Sequence, residues 1–146
     1  MSVWLKRSSI TGSGSSDHWF MHENASGHTQ KLDLHFCDDE FRMGWWDGSS
    51  EYNLDSKMKF RDTNAWYHIV LTGDTTQSTQ ADRMKLYING SRVTAWGTNT
   101  VNLSLNQNLD IGTTGYKHNI SRYGTGSGDT FFGLMSHIHF TDGYAY

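Results

Sequence analysis

The sequence predicts an all-β chain folded as a two-sheet antiparallel β-sandwich, a jelly roll, and three observations carry that expectation. Aromatic residues make up 14% of the chain and charged residues only 18%, with Ser, Thr, Asn and Gly filling the polar positions. Helix surfaces draw on Glu, Lys, Gln and Arg, whereas Thr, Tyr, Trp and Phe suit a pleated surface. Several runs alternate apolar and polar residues with the period of two that marks a half-buried strand. Turn formers recur at short intervals between those runs, as they do in sandwiches and barrels. With 36% apolar residues, the core must be thin and built from rings.

Met1 to Arg7 reads as a first strand, and Ile10 to Asp17 (Ile-Thr-Gly-Ser-Gly-Ser-Ser-Asp) as a loop. His18 to Glu23, with Trp19-Phe20-Met21, is a strand. Lys31 to Cys37 puts Leu32, Leu34 and Phe36 on one face. Asp38-Asp39 turns the chain, exposed and splayed, and Glu40 to Trp46 returns with Phe41, Met43 and Trp45 on one face. Residues 47–64 form a long polar excursion holding one short strand. Trp66 to Thr72 is a continuous apolar run, as in a central strand covered on both sides. Arg83 to Ile88 and Arg92 to Trp96 flank Asn89-Gly90, the pair a tight type I′ hairpin prefers. Short strands are expected within 99–108 and at 109–112. Residues 113–129 make a long Gly/Ser/Tyr loop. The last strand, 131–140, is expected to turn Phe132, Leu134, Ile138 and Phe140 to the core.

At 146 residues the chain fits one domain, 1–146. Its net charge of −3 excludes a basic nucleic-acid footprint, and no apolar run is long enough for a membrane helix, so neither nucleic acid nor membrane is an expected partner. Met1 to Lys6 does not read as a secretory signal. The single cysteine, Cys37, makes no intramolecular disulfide and reads as a small buried residue. The four Asn-X-Ser/Thr triplets at Asn24, Asn89, Asn102 and Asn119 read as products of composition, and Gly124-Thr125-Gly126-Ser127-Gly128 lacks the Lys and the context of a phosphate loop.

Adjacent strand residues face opposite ways, so one of Trp45 and Trp46 is core and the other lies outside. An exposed Trp beside polar groups can stack on a sugar ring. Trp46, Trp96, Tyr116 and Tyr123 are the candidate glycan-binding residues. Asp74, Asp82 and Asp110 stand at strand ends beside loops and are weak calcium candidates. No cofactor is expected to be required for folding, calcium included. Phe131, Met135, His137 and His139 fall opposite the expected core side of the last strand and are the interface candidates.

Trp66-Tyr67-His68-Ile69-Val70-Leu71-Thr72, Asp74-Thr75-Thr76-Gln77 and Asp82-Arg83-Met84-Lys85-Leu86-Tyr87-Ile88-Asn89-Gly90-Ser91-Arg92-Val93-Thr94 together resemble the laminin-G-like, concanavalin A-like jelly roll. Leu109-Asp110-Ile111-Gly112 and the segment from Phe132 through His139-Phe140-Thr141-Asp142-Gly143 extend the likeness over nearly the whole chain. The D-T-T-Q and H-F-x-D-G forms look most like copies in tailed phages of marine and cyanobacterial type. The motif reads as scaffold, with Trp66 capping the core beside the 89–90 hairpin.

The resemblance implies a non-catalytic module at the surface of a phage particle, made in the host cytoplasm. It would bind host-surface glycan in a tail appendage or, alternatively, decorate the capsid through contacts with virion proteins. Glycoside hydrolases of this fold carry a Glu-x-Asp-x-(x)-Glu strand, which is missing here and leaves hydrolysis a remote alternative. Family members usually begin upstream of Trp4 and run on past Asp142-Gly143. The chain is therefore expected to be an excised segment of a longer virion protein, or a compact variant that takes an edge strand from a neighbour. Self-association is expected, with a trimer by analogy to virion symmetry.

Overall fold

A computed structural model describes residues 1–10, 18–24, 30–122 and 130–144, and within them the chain forms two antiparallel sheets face to face. Eleven strands appear in chain order: β1 (Ser2–Arg7), β2 (His18–Asn24), β3 (Gln30–Cys37), β4 (Glu40–Trp46), β5 (Glu51–Lys59), β6 (Tyr67–Gly73), β7 (Met84–Ile88), β8 (Ser91–Arg92), β9 (Trp96–Asn99), β10 (Lys117–Ile120) and β11 (Gly133–His139). The five-stranded sheet runs β11-β1-β6-β7-β8, and the six-stranded sheet β10-β2-β3-β4-β5-β9. The expected sandwich is therefore present.

The elements follow from local chemistry. β3 and β4 pair from Leu32↔Trp45 to Cys37↔Glu40, which aligns Leu32, Leu34, Phe36, Phe41, Met43 and Trp45 on one buried face. Asp38 sits in the turn with φ of 54°, a left-handed conformation that Asp tolerates. Asn89 and Gly90 have φ of 50° and 80°, as a type I′ turn demands. The core between the sheets is a chain of rings: Phe36 lies 5.0 Å from Phe60, Phe60 5.0 Å from Tyr67, and Phe20 5.6 Å from Phe36.

A charged side chain, that of Arg7, reaches into that core. Arg7, at the end of β1, is 0% exposed. Its Nη1 donates to the Phe60 carbonyl at 3.0 Å and its Nη2 to the Asp38 carbonyl at 2.6 Å, while the guanidinium stands 4.6 Å over the Phe36 ring. A strand of one sheet is thereby fastened to two segments of the other. Beside it, Asp39 is buried and accepts from Lys59 Nζ at 2.9 Å and from Arg61 Nε. The turn at 38–39 is therefore not splayed into solvent: the cations on and just beyond β5 hold Asp39 against the protein and lower its pKa.

Several expectations are corrected. Residues 51–59 form a full nine-residue strand inside the six-stranded sheet. No strand forms at 101–112 among the described residues, and β10 emerges from the expected long loop. Trp66 is 40% exposed and does not cap the core; its neighbour Tyr67, paired with Leu5, is the buried ring. The outward residues of β6, His68, Val70 and Thr72, are half-exposed rather than covered. Cys37 is half-buried.

The largest correction concerns β11, whose faces are reversed. Phe131 is buried and Met135 packs on the core, whereas Phe132 and Leu134 are more than half exposed, and Ile138 and Phe140 lie near 40%. Gly133 explains the phase. A Cβ there would fall 2.1 Å from the Lys6 carbonyl oxygen and 2.7 Å from the Phe131 ring, so the Phe131 ring can pack as it does only beside a residue without a side chain. A bulge follows: Ser136 pairs with Trp4 and His139 with Ser2, with His137 at φ 49°. The Phe131 side chain is therefore part of the core, and that of Met135 is half-buried against it. His137 and His139 are exposed.

Arg7→Met keeps the volume but leaves the buried Phe60 carbonyl without its donor and removes the bond to the Asp38 carbonyl. It is expected to cost on the order of 2–4 kcal/mol in urea unfolding. A loss below about 0.5 kcal/mol would show that desolvating the guanidinium cancels its hydrogen bonds.

The turn between β4 and β5 adds an acid limb to stability. Asp47 accepts from the backbone N–H groups of Ser49 and Ser50 and from Tyr52 Oη, which brings its pKa from 3.8 to about 2. A depressed folded pKa contributes stability that is complete above 3.8 and fades as pH falls towards 2. Asp47→Asn should be less stable than the parent at pH 6, with the gap closing by pH 2. A gap independent of pH in thermal melts would contradict this.

Candidate functional site

The sandwich is closed by Arg7 at one end and open at the other. There the two sheets part around a cavity of about 880 Å³. Its floor is apolar, from Leu32, Leu71, Met84, Leu109 and Ile111. Its mouth carries Asp74, Asn108, Asp110, His139, Phe140 and Asp142, with Tyr144 at the rim. The size and the pairing of an apolar floor with a few polar groups are those of a small-molecule site.

Three chain segments build the mouth. The turn after β6 brings Asp74, Thr75 and Thr76. Asp74 accepts from Thr76 N at 3.0 Å, Thr76 Oγ1 at 2.6 Å and Gln77 Nε2 at 2.6 Å, bonds that lower its pKa and keep it ionised. The segment after β11 brings Phe140, Thr141, Asp142 and Gly143. The 108–113 loop forms the third wall. Trp45 Nε1 donates to the Leu109 carbonyl at 3.0 Å, and Asp110 accepts from Thr113 Oγ1 at 2.9 Å and Tyr116 Oη at 3.0 Å.

A buried carboxylate fixes that third wall. Glu23, on β2, is 0% exposed, and its two oxygens accept the Gly112 N–H at 2.9 and 3.1 Å. Gly112 has φ of 79°, and a Cβ there would come within 3.3 Å of Asp142 Oδ2. Burial raises the Glu23 pKa; the Gly112 N–H and His118, 4.0 Å away, oppose the shift.

The candidate residues separate as follows. Asp74, Asp110 and His139 meet at the cavity. Asp82 lies elsewhere, in an ion pair with Arg92 at 2.7 Å. Among the described residues no three His, Cys, Asp or Glu side chains gather as a metal-binding group. Trp46 is half-buried on the outer face of the six-stranded sheet, and Trp45 is the core ring. Trp96 packs on the core and lines a second, smaller cavity of about 170 Å³ with Leu54 and Val93. Tyr116 is spent on Asp110. Tyr123 lies outside the described residues. The three described aromatic candidates are thus not brought together at one site.

Phe140, Asp142 and Glu23 were missed as site residues. The available signal was the motif itself. Asp74, Thr75 and Thr76 of D-T-T-Q and all five residues of H-F-x-D-G line one cavity. Buried polar groups also occur on the outer face of the six-stranded sheet, where His35 Nδ1 lies 2.9 Å from Asp33 Oδ2 and Arg42 Nε 3.4 Å from Asp55 Oδ2.

A laminin-G-type family model of the concanavalin A-like lectin/glucanases superfamily matches residues 1–143, and the chain belongs to that family. The superfamily joins lectins with glucanases, so the fold is one on which carbohydrate is both bound and cut. No curated protein matches the chain.

The raised Glu23 pKa gives a signed prediction. An acid with a raised folded pKa weighs against folding as it ionises, so its contribution worsens as pH climbs from 4.5 through the higher folded value. The stability of the parent relative to Glu23→Gln should therefore fall over that rise and level off above it. Urea unfolding at unit pH steps from 4 to 8 that gave a constant difference would be the contrary result.

Proposed function

We propose that the chain is a non-catalytic carbohydrate-binding module whose saccharide seats in the open end of the sandwich. The observation that carries this reading is the meeting at one mouth of a ring, Phe140, 40% exposed, with the carboxylate of Asp142 and the amide of Asn108 over an apolar floor. A ring stacks on the C–H face of a sugar while carboxylate and amide groups take its hydroxyls. Asp74 and Asp110 are already committed to their own loops and shape the mouth rather than bind directly.

Hydrolysis asks for two facing carboxylates with distinct protonation states. Among the described residues no strand directs carboxylates outward at i and i+2; on β5, Glu51 and Asp55 are four apart and Asp55 is tied to Arg42. This supports binding without cleavage. The setting we infer is the surface of a phage particle, with host-surface glycan as ligand, and it rests on the likeness of 74–77 and 139–143 to phage copies. A capsid-decorating role draws support from one feature, the apolar outward face of the five-stranded sheet, where Trp4, Phe132 and Leu134 are exposed.

A panel of immobilised bacterial surface polysaccharides tests the reading. Binding to at least one is expected, weakened tenfold or more by Phe140→Ala and by Asp142→Ala with circular dichroism unchanged, and with no release of reducing ends. Binding indifferent to both substitutions would move the site elsewhere. Release of reducing ends that stops on mutating one acid would make the chain an enzyme.

A further inference from the structure

We infer that β11 is a dimerisation edge, pairing antiparallel with β11 of a second copy so that two five-stranded sheets become one. Among the described residues β11 has no neighbour on its outer side. Ser8 N donates to the Phe132 carbonyl, so Phe132, Leu134 and Ser136 turn their backbone groups towards β1. By the alternation of an antiparallel ladder, Gly133 and Met135 turn theirs to the open edge.

Sheet edges are normally blunted by charge, proline or bulges. From Thr130 to Thr141 the chain carries no Asp, Glu, Lys or Arg, and the bulge at His137 interrupts only the far half of the strand. What remains, 133–136, keeps an unbroken register with β1.

Charge and area favour a second copy as the occupant. Each copy has a net charge of −3, and this neutral stretch is where two of them can meet without repulsion. The edge is also self-complementary. With Leu134 on the twofold axis, Gly133 faces Met135 of the other copy and both exchange their free hydrogen bonds. Leu134 then packs on its own equivalent, and Phe132 lies over Ser136. Phe132, Leu134 and Trp4 are 53%, 59% and 39% exposed along this margin. They offer roughly 300 Å² of apolar side chain per copy. About 600 Å² from two copies is the apolar share of an interface of roughly 1,000 Å², the lower bound for a specific contact. Such a pairing is isologous and closes at two.

Sedimentation velocity of the purified chain from about 1 to 100 µM is the test, a range that brackets a modest edge contact. A monomer–dimer equilibrium is expected, with the amides of Gly133 and Met135 gaining protection from hydrogen exchange as the dimer fills. Leu134→Lys, at an exposed position, should raise the dissociation constant more than tenfold while circular dichroism and the melting temperature hold. Leu105→Lys, exposed on the loop after β9 and not on the five-stranded sheet, should leave the dimer intact. A wild-type monomer at 100 µM, a trimer, or a dimer indifferent to Leu134→Lys would each overturn the proposal. So would a dimer dissolved by Trp66→Ser but not by Leu134→Lys, which would place the contact on the sheet face.

Discussion

The buried guanidinium of Arg7 is the contact on which the two-sheet arrangement depends. Ring packing alone sets a distance between sheets but no register, because apolar contacts are non-directional. Arg7 supplies direction. It leaves β1 in the five-stranded sheet and ends on two carbonyls of the six-stranded one, at the β3–β4 turn and just past β5. The Phe60 carbonyl is buried, so sliding one sheet over the other would strand it without that donor. Phe36 beneath the guanidinium and the Asp39–Lys59–Arg61 group beside it complete an end of the sandwich that is held by charge.

The opposite end follows from that closure. Sheets pinned at one end and twisted relative to each other diverge at the other. The gap there is filled by a loop, and the loop is held by two long-range bonds, Trp45 Nε1 to the Leu109 carbonyl and Glu23 to the Gly112 N–H. Asp110 and Gly112 both adopt left-handed backbone, which a strand through 109–112 would not tolerate. The segment Leu109-Asp110-Ile111 therefore becomes a wall of the cavity and not a strand. The cavity is a consequence of how the layers are joined, and its chemistry comes from the loops around it.

Much of the fold was legible in the sequence wherever one face of a strand contrasts with the other. The β3–β4 hairpin and the Asn89-Gly90 turn fall at their expected positions, because Leu32, Leu34 and Phe36 oppose Asp33 and His35, and because few dipeptides other than Asn-Gly suit that turn. Legibility failed where contrast was missing. In 131–140 both faces are apolar, so counting rings chose the wrong side. The information that decides the phase is steric, the lack of room for a Cβ at residue 133. β5 was hidden because its buried positions include Asp55 and Ser56, which read as loop. Ser56 Oγ accepts from Phe41 N and donates to the Met58 carbonyl, a satisfaction that only the folded chain displays.

The site was legible in the same partial way. The aromatic candidates do not lead to the cavity by themselves, since Trp96 packs on the core and Tyr116 Oη bonds Asp110. The better guide was the motif whose polar residues no strand needed. A tight hairpin accounts for Asn89 and Gly90, and alternation accounts for Leu86 and Ile88. Neither accounts for Asp74 or for Asp142. These two acids lie 68 positions apart and come to one mouth because β6 and β11 flank β1 in a single sheet, with their C-terminal ends at the open end of the sandwich. Antiparallel order fixes this: β1 runs against both neighbours, so the segment leaving β6 and the segment leaving β11 emerge together where β1 begins. The residues that repeat in the family motif at those two exits are thus neighbours by topology, and the loop that Glu23 anchors closes the third side.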